Sequence, residues 1–314
     1  MKFSESNTLI WGAGMLCSLL LSPLLFGIIN KTKAFFAGRH GQPVLQLYYD
    51  LNKLRRKESI ASRSSGGFLA IAPLLGCLFT VTALLLLPLG YASSPLAFTG
   101  DVIFFFYLLG TARLITVLAA METGSSFEGM GAAREMHFSA LAEGAIFAVI
   151  AFIAAVTGKG SCDMLVDTNL SFPAGHPVSL VTAAFAAFII MLVENCRVPF
   201  DDPETHLELT MIHEAMILDY AGPDLAAILY TASLKLWLFA SFFVMLVMPD
   251  FSGHPVLSLL LYIGGVLVTG IAVGCVESCM ARFRLLKIPQ LLLGALAASL
   301  VGIIYLFVFE GGVQ

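Results

Sequence analysis

Apolar residues in this chain come in long unbroken runs separated by shorter polar segments. Windows of about 20 residues, the length a helix needs to cross a hydrocarbon core, fall at 8–30, 67–90, 101–121, 138–157, 178–195, 225–249, 256–276 and 289–309. The runs are continuous and do not alternate, which predicts helices and argues against barrel strands. The expectation is an all-α polytopic membrane protein of about eight transmembrane helices, forming a single integral membrane domain over residues 1–314. Lys2 precedes the first run as in a signal peptide, but no small-residue A-x-A pattern closes it, so the run is expected to stay as a span.

The polar segments predict further elements. In "VLQLYYDLNKLRRKESI", Leu45, Leu47, Tyr48, Leu51 and Leu54 recur at mixed helical spacing before a basic cluster, which predicts an interfacial helix after the first span, either a lipid-headgroup anchor or a wall of a docking surface or cavity. "METGSSFEGMGAAREM", after the third span, reads as a loop whose glycines permit tight turns. After Pro199, Asp202 can cap a helix with Pro203 at its first position and Glu204 in its first turn, predicting a loop helix over 203–219 that ends near Gly222 and Pro223. On it Glu204 and Glu208 share one face, His206, Thr210 and His213 a second, and Leu207, Met211, Ala215 and Leu218 an apolar third.

Composition agrees with the pattern: 58% of residues are hydrophobic and 12% charged, with a mean hydropathy of +0.90. Six scattered cysteines form no C-x-x-C pair, so neither a disulfide framework nor an iron–sulfur or zinc site is encoded. A net charge of −4 argues against nucleic acid as a partner. Lys31, Lys33, Arg39, Lys53, Arg55, Arg56, Lys57, Arg63, Arg134, Arg197, Arg282, Arg284 and Lys287 follow odd-numbered spans, against Lys2 and Lys159 on the other side. The positive-inside rule then puts both termini outside and those loops in the cytoplasm, with Arg282 and Arg284 read as orientation signals.

Ionisable residues within spans are costly and are functional candidates by default. Arg113, Glu143, Glu194, Lys235 and Glu277 fall in or at the ends of spans, with Glu143 expected about one turn into the fourth. Glu122, Glu128 and Glu135 follow the third span, and Arg197, Asp201, Asp202, Glu204, Glu208, His213 and Glu214 follow the fifth. Together they predict a partly desolvated charged cluster on the cytoplasmic side, able to exchange protons, with Arg113 and Lys235 as the opposite-sign members. His206 and His213 would lie about 10 Å apart along a straight helix, too far to share one ion, so no metal site is expected.

"ENCRVPFDDPETHLELTMIHEAMILDYAGPDLA", supported by "METGSSFEGMGAAREM" and "ESCMARFRLLKIP", resembles the subunit-1 family of respiratory complex I, in the branch of membrane-bound energy-converting [NiFe] hydrogenases and formate hydrogenlyase-like complexes. The resemblance covers essentially the whole chain. It implies a non-catalytic membrane subunit that docks a cytoplasmic arm and couples its redox reaction to proton or sodium translocation. The implied partners are hydrogenase large and small subunits, iron–sulfur subunits and antiporter-like membrane subunits, in a prokaryotic cytoplasmic membrane. A [NiFe] centre and iron–sulfur clusters are then expected in the partners and no cofactor in this chain. The core "RVPFD" is shared with complex I, where this region shapes a quinone cavity, so a quinone-site subunit is the alternative; the continuation "DPETHLELTMIHEAM" departs from complex I. A purely structural anchor is the other alternative.

Overall fold

A computed structural model of the chain describes residues 5–59, 66–167, 177–201, 211–248 and 254–309. All the regular structure among them is helical. The membrane-type helices are α1 (Glu5–Phe36), α3 (Gly67–Leu86), α4 (Asp101–Glu122), α5 (Ser126–Thr157), α7 (Pro177–Glu194), α9 (Gly222–Val247), α10 (Pro255–Cys279) and α11 (Ile288–Phe309), with short helices α2 (Gln46–Leu54), α6 (Met164–Asp167) and α8 (His213–Met216) between them. Seven of these are long and apolar enough to cross a membrane; Val178–Glu194 is a shorter apolar helix. At 1.5 Å per residue, the 18 residues of α7 still reach about 27 Å, close to the thickness of a hydrocarbon core. The chain is a multi-pass membrane protein.

Local signals account for several helix boundaries. Pro223 and Pro255 sit at the starts of α9 and α10, where a missing N–H costs nothing. Gly158, left-handed at φ 68°, ends α5 with its N–H on the Ala154 carbonyl. Pro23 lies inside α1 and cannot donate to the Leu19 carbonyl one turn back. The Tyr230 hydroxyl of α9 donates to that carbonyl instead, at 3.0 Å, so the interruption becomes an interhelical bond. A second polar tie lies deeper between the same helices: Trp237 Nε1 donates to Ser18 Oγ at 2.8 Å, beside a 2.6 Å Ser241–Tyr262 hydroxyl pair that joins α9 to α10.

The interfacial helix appears as α2, packed on α1 and α9. Gly27 makes the close approach possible, since a Cβ there would sit 1.8 Å from the Val44 carbonyl oxygen. The Tyr48 hydroxyl also donates to the Leu20 carbonyl.

Two segments differ from expectation. The segment after the third span is a loop only at Thr123–Ser125; helix α5 begins at Ser126 and runs 32 residues, because the small and charged residues of "SFEGMGAAREM" extend the fourth helix beyond its apolar part. Glu143 therefore lies near the middle of α5, about five turns from its start. Of the helix expected at 203–219, residues 203–210 lie outside the described residues. Within 211–219 only His213–Met216 is helical, Ile212 having φ −118° and ψ −75°. Of its apolar stripe, Met211 and Ala215 are buried but Leu218 is exposed.

Candidate functional site: a buried charge group and its cavity

Helix α7 ends at Glu194, and its end is held by charge. Glu194 Oε1 accepts from Arg113 NH1 of α4 at 2.5 Å, and Oε2 lies 3.2 Å from Lys235 Nζ of α9. Lys235 also donates to the Glu194 backbone carbonyl at 2.5 Å, which satisfies one of the carbonyls a helix leaves open and puts a cation at the negative end of its dipole. The Glu194 carboxylate is 3% exposed. Arg113 further reaches Glu143 Oε1 at 3.5 Å and Glu135 Oε1 at 4.0 Å, both on α5. Three helices, α4, α5 and α7, thus meet at Arg113 and α9 joins them through Lys235 and Glu194; Glu143, the most exposed of these acids, has 52% of its side chain accessible.

A second group follows the turn after α7. Glu277 of α10, with a fully buried side chain, lies 3.3 Å from Lys33 of α1 and 3.5 Å from Arg197. The Arg197 guanidinium also stacks over Phe26, 4.2 Å from the ring centroid. Arg282, just past α10, pairs with Asp201 at 2.7 Å. Asp201 accepts the backbone N–H groups of Ile212 at 3.1 Å and His213 at 3.2 Å, which accounts for the break from helical geometry there. Gly131 of α5 lets this segment close in, since a Cβ would meet the Ile212 carbonyl oxygen at 2.9 Å.

Between the two groups lies a cavity of about 130 Å³. Its lining includes the charged or polar Arg113, Glu135, Glu194, Arg197, His213 and Lys235 and the apolar Phe26, Ala72, Pro73, Met216, Ile228 and Leu229. His213 opens onto this space but is otherwise enclosed. Burial, followed by the positive Lys235 and Arg197, pulls its ring down from the usual value to about 4, so it is neutral at pH 7. Burial and the neighbouring Glu135 carboxylate push the Cys196 thiol well above its ordinary range, so it stays protonated and its S–H donates to Glu135 Oε2, 3.8 Å from the sulfur. A smaller recess of about 30 Å³ beside Phe106, Tyr107 and Phe147 touches Arg113, Glu194 and Glu143.

The structure brings together Arg113, Glu135, Glu143, Glu194, Arg197, Asp201, His213, Lys235 and Glu277 in these linked groups, and Glu214 lines the cavity. Glu122 and Glu128 are elsewhere. Glu122 accepts the Leu69 N–H at 2.7 Å, placing an anion at the start of α3 where orphan donors favour it. Glu128 accepts the Asp219 N–H at 3.2 Å. Asp202, Glu204 and Glu208 lie outside the described residues. Lys33 and Arg282, whose place in basic segments signals only orientation, are ion-pair partners of the buried acids Glu277 and Asp201. A hint for Lys33 is its place at the end of α1, one turn beyond the apolar run. Among the described residues no three His, Cys, Asp or Glu side chains gather as a metal site.

A bundle of membrane-crossing helices around a paired, buried set of charges defines a multi-pass membrane protein with an ionisable interior. The chain belongs to the NADH dehydrogenase family, whose model matches residues 10–307, and its likeness is to complex I subunit 1. Among its relatives, Hydrogenase-4 component C of Escherichia coli (strain K12) is 31% identical over 296 residues, covering 92% of each chain. Formate hydrogenlyase subunit 4 of the same organism is 29% identical, covering 86% of this chain and 89% of its own. NADH-ubiquinone oxidoreductase chain 1 of Triticum aestivum is 27% identical over 63% of this chain and 63% of its own. The fold matches, at a TM-score of 0.82 and 20% identity, a chain in the structure of the membrane-bound sulfane sulfur reductase (MBS), an archaeal respiratory membrane complex, covering 95% of this chain and 99% of that one.

Proposed function

We propose that this chain is the membrane subunit that docks a cytoplasmic [NiFe]-hydrogenase and iron–sulfur arm and couples its redox reaction to proton or sodium translocation through antiporter-like partners. The relatives named as hydrogenase-4 and formate hydrogenlyase components support the hydrogenase branch. The observation that carries the coupling reading is the line Lys235, Glu194, Arg113, Glu143, which leads from the cavity, through four helices, to an acid half-exposed on the outside of α5. An acid on a membrane helix facing outward is costly against lipid and calls for a neighbouring subunit there. In this reading the partners carry the [NiFe] centre, which joins two electrons and two protons into H2. This chain supplies the responding charges: a change beside His213 and Glu214 alters which of Glu194, Glu135 and Glu143 the cations Arg113 and Lys235 hold most tightly. Moving one charge across 100 mV costs about 2.3 kcal/mol, the scale of one such pairing. The setting is a prokaryotic cytoplasmic membrane with both termini outside.

The test is Glu143→Gln in the assembled complex. Ion pumping should be lost while H2 chemistry of the arm with soluble electron carriers persists; a variant that pumps normally would refute the assignment.

The cavity favours one second reading, a quinone-site subunit. Its residues fit such a group, with Lys235, Arg197 and His213 for a polar head and Phe26, Ile228 and Leu229 for an apolar tail. Quinone-dependent turnover, blocked by quinone-site inhibitors and weakened by Ile228→Trp, would support it.

A further inference from the structure

The connector from α1 to α2 and the end of α2 form a surface that the buried charges do not use. Between residues 31 and 59, Lys31, Arg39, Lys53, Arg55, Arg56 and Lys57 are exposed. The acids there are Glu58, exposed, and Asp50, half-buried and bonded to Gln46 at 3.0 Å. Large apolar side chains stand beside the cations: Phe35 is 80% exposed, Tyr49 59%, Phe36 54% and Leu45 47%. These flank the point where α1 leaves its apolar run.

The surface is also fixed in place. The Tyr48 hydroxyl is bonded to the Leu20 carbonyl, Val44 is seated against Gly27, and Lys31 Nζ donates to the His40 carbonyl at 2.6 Å. A short helix held against the bundle, with apolar side chains exposed and cations clustered at one end, has the make-up of an element lying in a headgroup layer. Exposed together, Phe35, Phe36 and Leu45 mark a face that meets lipid or a partner and not bulk water.

We propose that this surface binds the headgroups of anionic phospholipids, with Arg55, Arg56 and Lys57 as the main phosphate partners and Phe35, Phe36, Leu45 and Tyr49 set among the acyl chains. Each cation near an anionic membrane surface multiplies affinity by about fivefold, so three together contribute about a hundredfold.

The full chain, purified in mild detergent, is titrated with phosphatidylglycerol and separately with phosphatidylcholine, and bound lipid is counted by native mass spectrometry. Wild type should hold phosphatidylglycerol about a hundredfold more tightly than the triple variant Arg55→Ala/Arg56→Ala/Lys57→Ala. The gap should shrink in about 0.5 M salt, where screening reaches only a few ångströms. Phosphatidylcholine binding and the thermal midpoint in phosphatidylcholine should be equal in both, which reports that the variant is folded. A charge-keeping control, Arg55→Lys/Arg56→Lys, should retain most of the preference. Absence of a phosphatidylglycerol preference in wild type, or its persistence in the triple alanine variant, overturns the proposal. So does a triple variant that keeps its lipid preference but no longer assembles with partner subunits, because the surface would then dock a protein.

Discussion

Replacing Glu194 by Gln takes one negative charge from between two cations while keeping the shape of the side chain. At an effective dielectric of about 20, the 2.5 Å contact to Arg113 and the 3.2 Å contact to Lys235 are worth about 7 and about 5 kcal/mol before desolvation. The burial of three charged groups offsets most of this, yet removing one partner strands the others: breaking a buried pair costs about 3–5 kcal/mol. Among the described residues Arg113 retains the acids Glu143 at 3.5 Å and Glu135 at 4.0 Å, and Lys235 retains the Glu194 backbone carbonyl. The expected loss for Glu194→Gln is therefore about 3–5 kcal/mol, read from unfolding in mixed micelles with rising sodium dodecyl sulfate and followed by circular dichroism. Lys235→Met should also destabilise, and the double variant should lose less than the sum of the singles by about 1–3 kcal/mol. A Glu194→Gln midpoint within about 0.5 kcal/mol of wild type, or strictly additive single losses, would refute the reasoning that these charges are mutually dependent.

Other consequences can be checked separately. His213 binds its proton at about pH 4 when folded against about 6.5 when unfolded, so as pH falls the unfolded state is protonated first; the contribution is complete above about 6.5 and is lost between about 6.5 and 4, on the order of 3 kcal/mol. His213→Gln should flatten the stability profile across that interval, and an unchanged profile would show that other groups set it. Gly27→Ala puts a Cβ 1.8 Å from the Val44 carbonyl, so α2 must shift; about 1–3 kcal/mol of stability should go, with faster proteolysis at residues 37–45 as the direct reading. Trp237→Phe removes the 2.8 Å bond to Ser18 and should cost about 1 kcal/mol in the same micelle assay.

Continuous apolar runs mark the approximate place of the long helices, because burying each backbone amide inside one helix is the only way a single segment satisfies it in hydrocarbon. That rule acts on consecutive residues and so can be read along the chain. The sequence also marked Arg113, Glu143, Glu194, Lys235 and Glu277, since a charge within an apolar run is conspicuous without any fold. The helical extension at 126–137 was not legible, because "SFEGMGAAREM" carries glycines that suit a turn as well as a close helix contact. What decided for helix was packing, with Gly131 against the Ile212 carbonyl. The same holds for the partners of the charges. Glu194 joins residues 81 and 41 positions away in sequence, and Glu277 meets Lys33 from the other end of the chain. Glu122, grouped with them by sequence, instead holds the start of α3. The sequence by itself determined which side chains must escape lipid; the tertiary structure decided which of them meet, because ion pairing depends on distances of a few ångströms that only the crossing of helices sets.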